Sequence, residues 1–385
     1  MHLIRIPGLR SVAVAGLACL LACGPRTLDA REAAAPSHAV RVVAFADVHG
    51  SHAELAGLLR RAGVIDDADR WIGGRTQLVS LGDLLDRGAD SRKVMDLLMR
   101  LQSEARAAGG RVHVVLGNHE AMNLLGDLRY VSPGEYAAFA AGESAAERGA
   151  RREDWVATHA AGSEAEFDRR FPPGYFAHRA AFAPAGRYGR WLLALPVAVA
   201  VDGTLYMHGG PSPLLRGMDL AGINLRYRSA LLEYLAALAA LEEAGLVRDD
   251  DPYAQRAAIA ARRLAARPEP DQAMQMRLAG AVQRFTAAAA NPLLRTGGPN
   301  WYRGAALCHE ATETDILVPI LAGLGVQRVV LGHTTTDDRR VASRFDGRVI
   351  KLDTGMNRAA YQGHPAALLV EDGRASCRER VSVVV

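Results

Sequence analysis

The chain has 385 residues, 49% of them hydrophobic, 6% aromatic and 23% charged, with a formal net charge of +4. That composition supports a large buried core and excludes a chain disordered throughout. Only Lys93 and Lys351 among the 46 basic residues are lysine, and the arginines are scattered among alanines without a basic stripe, which excludes a nucleic-acid face.

Arg5 and Arg10 lead into the apolar run Ser11 to Ala22, too short to span a bilayer as a mature helix, so residues 1–22 read as an export signal. Leu20-Leu21-Ala22-Cys23 resembles a bacterial lipobox. It implies a signal of lipoprotein type, an acylated Cys23 as the first mature residue, and a periplasmic protein lipid-anchored to a bacterial membrane. Cleavage near Ala30 would instead release a soluble periplasmic protein. Residues 23–38, rich in Pro, Ala and Arg, read as a tether. In an oxidising compartment Cys308 and Cys377 can pair, or stay apart as lone thiols.

The folded domain is expected over residues 39–375. Ala39 to Ala46 is a buried strand running into Asp47-Val48-His49-Gly50, and Glu54 to Ala62 has helical spacing. A second strand, Thr76 to Leu81, meets Gly82-Asp83-Leu84-Leu85-Asp86-Arg87-Gly88. The helix Lys93 to Ala108 and a third strand, Arg111 to Leu116, lead to Gly117-Asn118-His119-Glu120. This β-α-β-α-β alternation predicts an α/β fold with parallel strands and a polar loop at each carboxyl end. About residues 127–190 form a polar insertion, helical in pieces and broken at Pro172-Pro173. Trp191 to Met207 reads as a hairpin around Asp202-Gly203, ending at His208-Gly209-Gly210. About residues 214–290 form a second helical insertion, either a cap over the sheet edge or a bundle beside it. Val326 to Leu331 is a strand entering Gly332-His333-Thr334, hairpins follow around Asp346-Gly347 and Asp372-Gly373, and residues 376–385 stay unassigned.

Five polar loops, each behind an apolar strand, hold four of the twelve histidines. Their donors, Asp47, His49, Asp83, Asn118, His208 and His333, are carboxylate or amide oxygen and imidazole nitrogen without a thiolate, a set suited to Mn, Fe or Zn. Asp47 and His49, two apart at a strand end, are expected to point the same way along the pleat. Asp83, in the middle loop, is the candidate bridge between two divalent ions that would share a water and clamp the oxygens of a displacement at phosphorus.

In order and spacing these loops resemble those of the calcineurin-like metallophosphoesterases. The full Gly-Asp-x-x-Asp-Arg-Gly and Asn-His-Glu narrow the resemblance to the phosphoprotein-phosphatase branch. Trp301-Tyr302-Arg303-Gly304 is similar to the bacterial Shewanella-like protein phosphatases. One departure is Ala46, where the family has glycine. The resemblance implies mixed sheets in a sandwich flanked by helices, with helical insertions. It assigns Asp47, His49 and Asp83 to one metal, and Asp83, Asn118, His208 and His333 to the other, with Mn favoured. It makes His119 the general acid, oriented by Asp86, and gives Arg87 and Arg303 to phosphate oxygens. The implied reaction is phosphomonoester hydrolysis of protein-phosphatase type, metal-bound hydroxide attacking phosphorus, on a phosphoprotein or a small phosphomonoester. Hydrolysis of nucleotides or dinucleoside polyphosphates is the alternative, and a lipid-anchored, non-catalytic metal-binding protein is a third reading. Glu120 and Asp353 are expected either to hydrogen-bond ligating histidines or to form structural ion pairs.

Overall fold

A computed structural model describes residues 41–158, 164–267, 271–371, 374–379 and 382–384. The export signal, Cys23, the tether and the Asp372-Gly373 turn lie outside the described residues. The chain opens with β1 (Val42–Phe45), α1 (His52–Arg61), β2 (Gln77–Ser80), α2 (Ser91–Ala107) and β3 (Arg111–Val114), in the expected alternation. Next comes α3 (Asn118–Leu125), with Asn118 and His119 in its first turn. The first insertion holds α4 (Pro133–Ala137), α5 (Ala145–Thr158), α6 (Glu164–Arg170), α7 (Tyr175–Phe182) and α8 (Arg187–Ala194).

Helix α8 corrects one expectation: Trp191 to Ala194 are helical and not the start of a strand. Tyr188 and Leu192, one turn apart, are both buried on this helix. Pro196 ends it by forcing Leu195 into extended backbone, so the strand begins only afterwards. The hairpin is therefore the short pair β4 (Ala198–Val201) and β5 (Thr204–Met207). The second insertion is α9 (Leu220–Glu243), α10 (Arg256–Ala266) and α11 (Gln272–Ala289). Then follow α12 (Gly304–Leu307), α13 (Glu310–Gly323), β6 (Arg328–Leu331), β7 (Ala342–Arg344), β8 (Val349–Lys351), α14 (Arg358–Tyr361), β9 (Ala366–Glu371), β10 (Arg374–Glu379) and β11 (Ser382–Val384). The last strand lies wholly within the stretch left unassigned from the sequence.

Two mixed sheets carry the site. The first has the order β11-β10-β9-β1-β2-β3, the second β4-β5-β6-β8-β7. Strands β1, β2 and β3 are parallel, as are β5, β6 and β8, so the loops after them can gather at one edge of each sheet. Val42, Ala44 and Leu368 of the first sheet share one buried cluster with Tyr206, Val330 and Ile350 of the second. Val43 and Phe45 pack instead with Leu55, Leu59 and Leu98 of the flanking helices. Because β1 is covered on both faces, its run is apolar without alternation. Ala46, the departure noted above, is buried in the same cluster as Val79 and Leu81. Cys308 is an exposed free thiol; the side chain of Cys377 lies outside the described residues.

Candidate metal centre

The five loops meet in a cavity of about 330 Å³. Asp47, His49, Asp83, Arg87, Asn118, His119, Arg303 and His333 line it. The other two site residues expected from the sequence, Asp86 and His208, stand fully buried behind this wall. Asp86 Oδ2 accepts from His119 Nδ1 at 2.5 Å, and His208 Nε2 lies 3.2 Å from Asp83 Oδ2.

The convergence does not come from the strand pleat. β1 ends at Phe45, and Asp47 and His49 have φ of 28° and 45°, in the left-handed region. Asp83, Asp86, Arg87 and His333 share that conformation. Non-glycine residues seldom adopt it, and where they cluster the surrounding structure must hold them. Backbone bonds do much of that work: the Asp83 carbonyl accepts from the amides of Val48 and His49, at 2.8 and 2.9 Å. Two glycines allow the close approach, since a Cβ on Gly82 would strike the Gly117 backbone and one on Gly117 would strike Asp83.

Side chains are aimed by the same means. Nδ1 of His49 and of His208 each lies 2.9 Å from a backbone oxygen, of Leu85 and Leu81 respectively. Those bonds put the hydrogen on Nδ1 and leave Nε2 facing the centre. His208 Nε2 also lies 2.8 Å from Asn118 Oδ1, and both oxygens of Asp47 accept from the His333 amide at 3.0 Å. Asp83 Oδ1 takes the His119 amide, at the N-terminus of α3, where a carboxylate is favoured.

The chemistry of the donors fits a pair of cations. His49, Asp83 and His119, and separately Asp83, His208 and His333, bring ligand atoms within 4.8 Å of one another. His333 Nε2 is buried without a hydrogen-bond partner. Burial, then the charge of Asp353, pushes the Asp47 carboxyl well above its usual range. Against burial, His208 and His119 hold Asp83 well below it. Burial, then His208, takes His333 down to about 2, and burial, then His119, takes His49 to about 3. His208 is driven up to about 9 by Asp83 and Asp47 against burial. Crowded carboxylates that cannot all ionise are what a bound cation relieves.

His119 differs from the other imidazoles, since its Nδ1 rests on a carboxylate. The Asp83 and Asp86 charges outweigh burial and raise its pKa. Asn123, which the sequence reading did not single out, donates to Asp86 Oδ1 at 2.9 Å and so fixes the carboxylate's other oxygen. Glu120 meets neither expectation: its carboxylate accepts from the amides of Asp83, Leu84 and Gly117, at 2.8, 2.7 and 2.8 Å, and staples two loops together. Asp353 likewise accepts from Thr335 Oγ1 and the Gly355 amide, not from a histidine.

At the mouth, Arg87 lies between two rings, with its guanidinium carbon 4.5 Å from the centre of Tyr130 and 5.1 Å from that of Tyr361. The Tyr361 hydroxyl is 3.0 Å from His49 Nε2. Trp301 stands edge-on to His333, and Arg303 Nη1 donates to the His333 carbonyl and Thr334 Oγ1, at 2.8 and 2.9 Å. Tyr302 points elsewhere, to Glu313. Trp301 was within reach of the Trp-Tyr-Arg-Gly signal, whereas Tyr130 and Tyr361 carry no local one.

Residues 40–337 match the family model for the calcineurin-like phosphoesterases. An uncharacterised protein of Schizosaccharomyces pombe is 27% identical over 343 residues, 86% of this chain and 76% of that one. Shewanella-like protein phosphatase 2 of Arabidopsis thaliana is 46% identical over 92 residues, 24% of each chain. The crystal structure of a cold-active protein-tyrosine phosphatase from a psychrophilic Shewanella is similar with a TM-score of 0.56 and 27% identity, over 88% of this chain and 77% of that one.

Proposed function

The chain belongs to the calcineurin-like phosphoesterase family and is a metal-dependent phosphoric ester hydrolase, and from that premise we propose that it is a phosphomonoesterase of protein-phosphatase type with His119 as its general acid. The observation that carries this reading is the His119–Asp86 pair, 2.5 Å apart, beside a double set of metal donors. Family members use dinuclear centres; here Asp47, His49 and Asp83 would hold one ion, and Asp83, Asn118, His208 and His333 the other. Two divalent ions, with Mn favoured over Fe and Zn, supply a water of lowered pKa and neutralise charge on phosphoryl oxygens when bound.

The chain's own residues do the rest. Asp86 accepts from Nδ1 and leaves Nε2 of His119 to face the pocket, carrying the proton that the leaving oxygen needs. The raised pKa of His119 keeps that proton in place towards neutrality. Arg87, exposed and stacked between tyrosines, and the free edge of Arg303 are suited to phosphate oxygens, which guanidinium groups bind in pairs. The aromatic mouth, and the tyrosine phosphatase among the structural relatives, support aryl phosphates as substrates, phosphotyrosine included. Export to a periplasm, with a lipid on Cys23, belongs to the same proposal and rests on the N-terminal sequence alone.

The test is a substrate panel on metal-analysed protein: phosphotyrosine and phosphoserine peptides, aryl phosphates, nucleotides and dinucleoside polyphosphates. Phosphomonoesters are expected to turn over fastest; preference for the polyphosphates would overturn the reading.

A further inference from the structure

One buried polar pair has no part in the chemistry above. Glu135 and His178 are both fully buried, yet neither carboxylate oxygen and neither ring nitrogen has a hydrogen-bond partner. Their nearest approach is 3.8 Å, from His178 Nε2 to Glu135 Oε1. Buried polar groups are normally paired, and leaving them otherwise is costly, so such a pair calls for an explanation.

Its surroundings supply one. Glu135 lies on α4, whose N-cap, Ser132, also donates from its hydroxyl to the carbonyl of Gly88, at 2.9 Å, in the loop that carries Asp86 and Arg87. The Glu135 carboxyl faces the Ser91 hydroxyl and the Asp86 backbone amide. That amide donates to Ser91 Oγ at 3.2 Å, which ties the hydroxyl that Glu135 faces to the turn. His178, on α7, stands behind Glu135 and is packed by the rings of Phe182, Phe139 and Tyr136, at 4.5, 5.1 and 5.2 Å. Asp86 and Arg87 are consecutive left-handed residues, with φ of 71° and 67°. Such a turn persists only where its neighbours hold it.

We propose that Glu135 and His178 are positioning residues: through Ser91 they hold the Asp86-Arg87 turn, and with it the Asp86 carboxylate against His119. The first insertion thereby becomes part of the proton-transfer apparatus. The inference rests on His119 being the general acid. Charge is consistent with it. Burial, then the Asp86 charge, pushes the Glu135 carboxyl well above its usual range, and burial, then Arg179, takes His178 down to about 3. Both directions disfavour the charged forms of a pair that sits behind a working carboxylate.

Leaving groups of different basicity separate positioning from mere support. Phenoxide needs a proton as it departs; p-nitrophenoxide scarcely does. Glu135→Ala, His178→Phe and Ser91→Ala are expected to lower kcat on phenyl phosphate by about tenfold, a partial loss of the roughly 10²–10⁴-fold that a general acid supplies, and on p-nitrophenyl phosphate by less than about threefold. Metal content, measured on the same samples, should stay unchanged. Ser91→Ala removes only a hydroxyl, so it carries the test if the larger changes prevent folding. His119→Asn is the control and should show the same selectivity, more strongly. If His119→Asn slows both esters equally, the general-acid reading fails and this inference with it. If His119→Asn is selective while the three variants slow both esters equally or neither, the positioning role is overturned and the general acid stands.

Discussion

The two helical insertions are both rich in alanine and differ in what they touch. Residues 127–190 reach the loops that carry the chemistry: Tyr130 stacks on Arg87, and Ser132 holds Gly88. Among the described residues of 214–290, none lines the cavity. Their anchors are structural. Asn224 of α9 accepts from the amides of Val197 and Ala198 and donates to the Ala198 carbonyl, while Arg256 of α10 binds the carbonyls of Leu125 and Gly126 at the end of α3. The first insertion sends Arg179 to a neighbouring carbonyl, that of Asn123. Both insertions thus place a cation at the negative end of α3, and the first also reaches its opposite end, where Tyr130 packs beside His119.

Substitutions can break or sharpen this contrast, and the core sets the scale. Asp83→Asn should lose metal and turnover together; metal analysis showing full occupancy in that variant would sink the bridging assignment. His119→Asn should lower kcat by about 10²–10⁴-fold with metal retained. In the first insertion, Tyr130→Ala removes a ring worth about 1 kcal/mol to a stacked guanidinium, and KM is expected to rise roughly fivefold with kcat near the parent value. In the second, Asn224→Ala should cost about 1–3 kcal/mol in denaturant unfolding and leave kcat and KM alone. A kinetic defect in Asn224→Ala, or none in Tyr130→Ala, would erase the distinction between the two regions.

What could be read in advance was whatever the chain writes locally. Each of the five loops follows an apolar run, so the strands, their parallel order and the meeting of the loops were legible from residues such as Asp47, Asp83 and His333. The means of gathering was not, because left-handed backbone at an aspartate or histidine leaves no mark in composition. Asn123 had a faint signal, standing one helical turn after His119 on the same face, visible once Asn118-His119 is seen to open a helix. Glu135 and His178 had none, since they meet only after two helices fold back on a loop some fifty residues earlier. Helix α13, with Pro319 inside it, was not among the expected elements.

Asp47 and the His333 amide that binds it are 286 positions apart. At a synthesis rate of 5–20 residues per second, roughly 15 to 60 s separate the appearance of the two on a ribosome. For that interval the first strands exist without the groups that complete their edge, and closure awaits a contact of very long sequence separation, the kind that forms slowly. The second ion's set is therefore completed late: a chain that ends before His208 and His333 lacks two of the four side chains assigned to it.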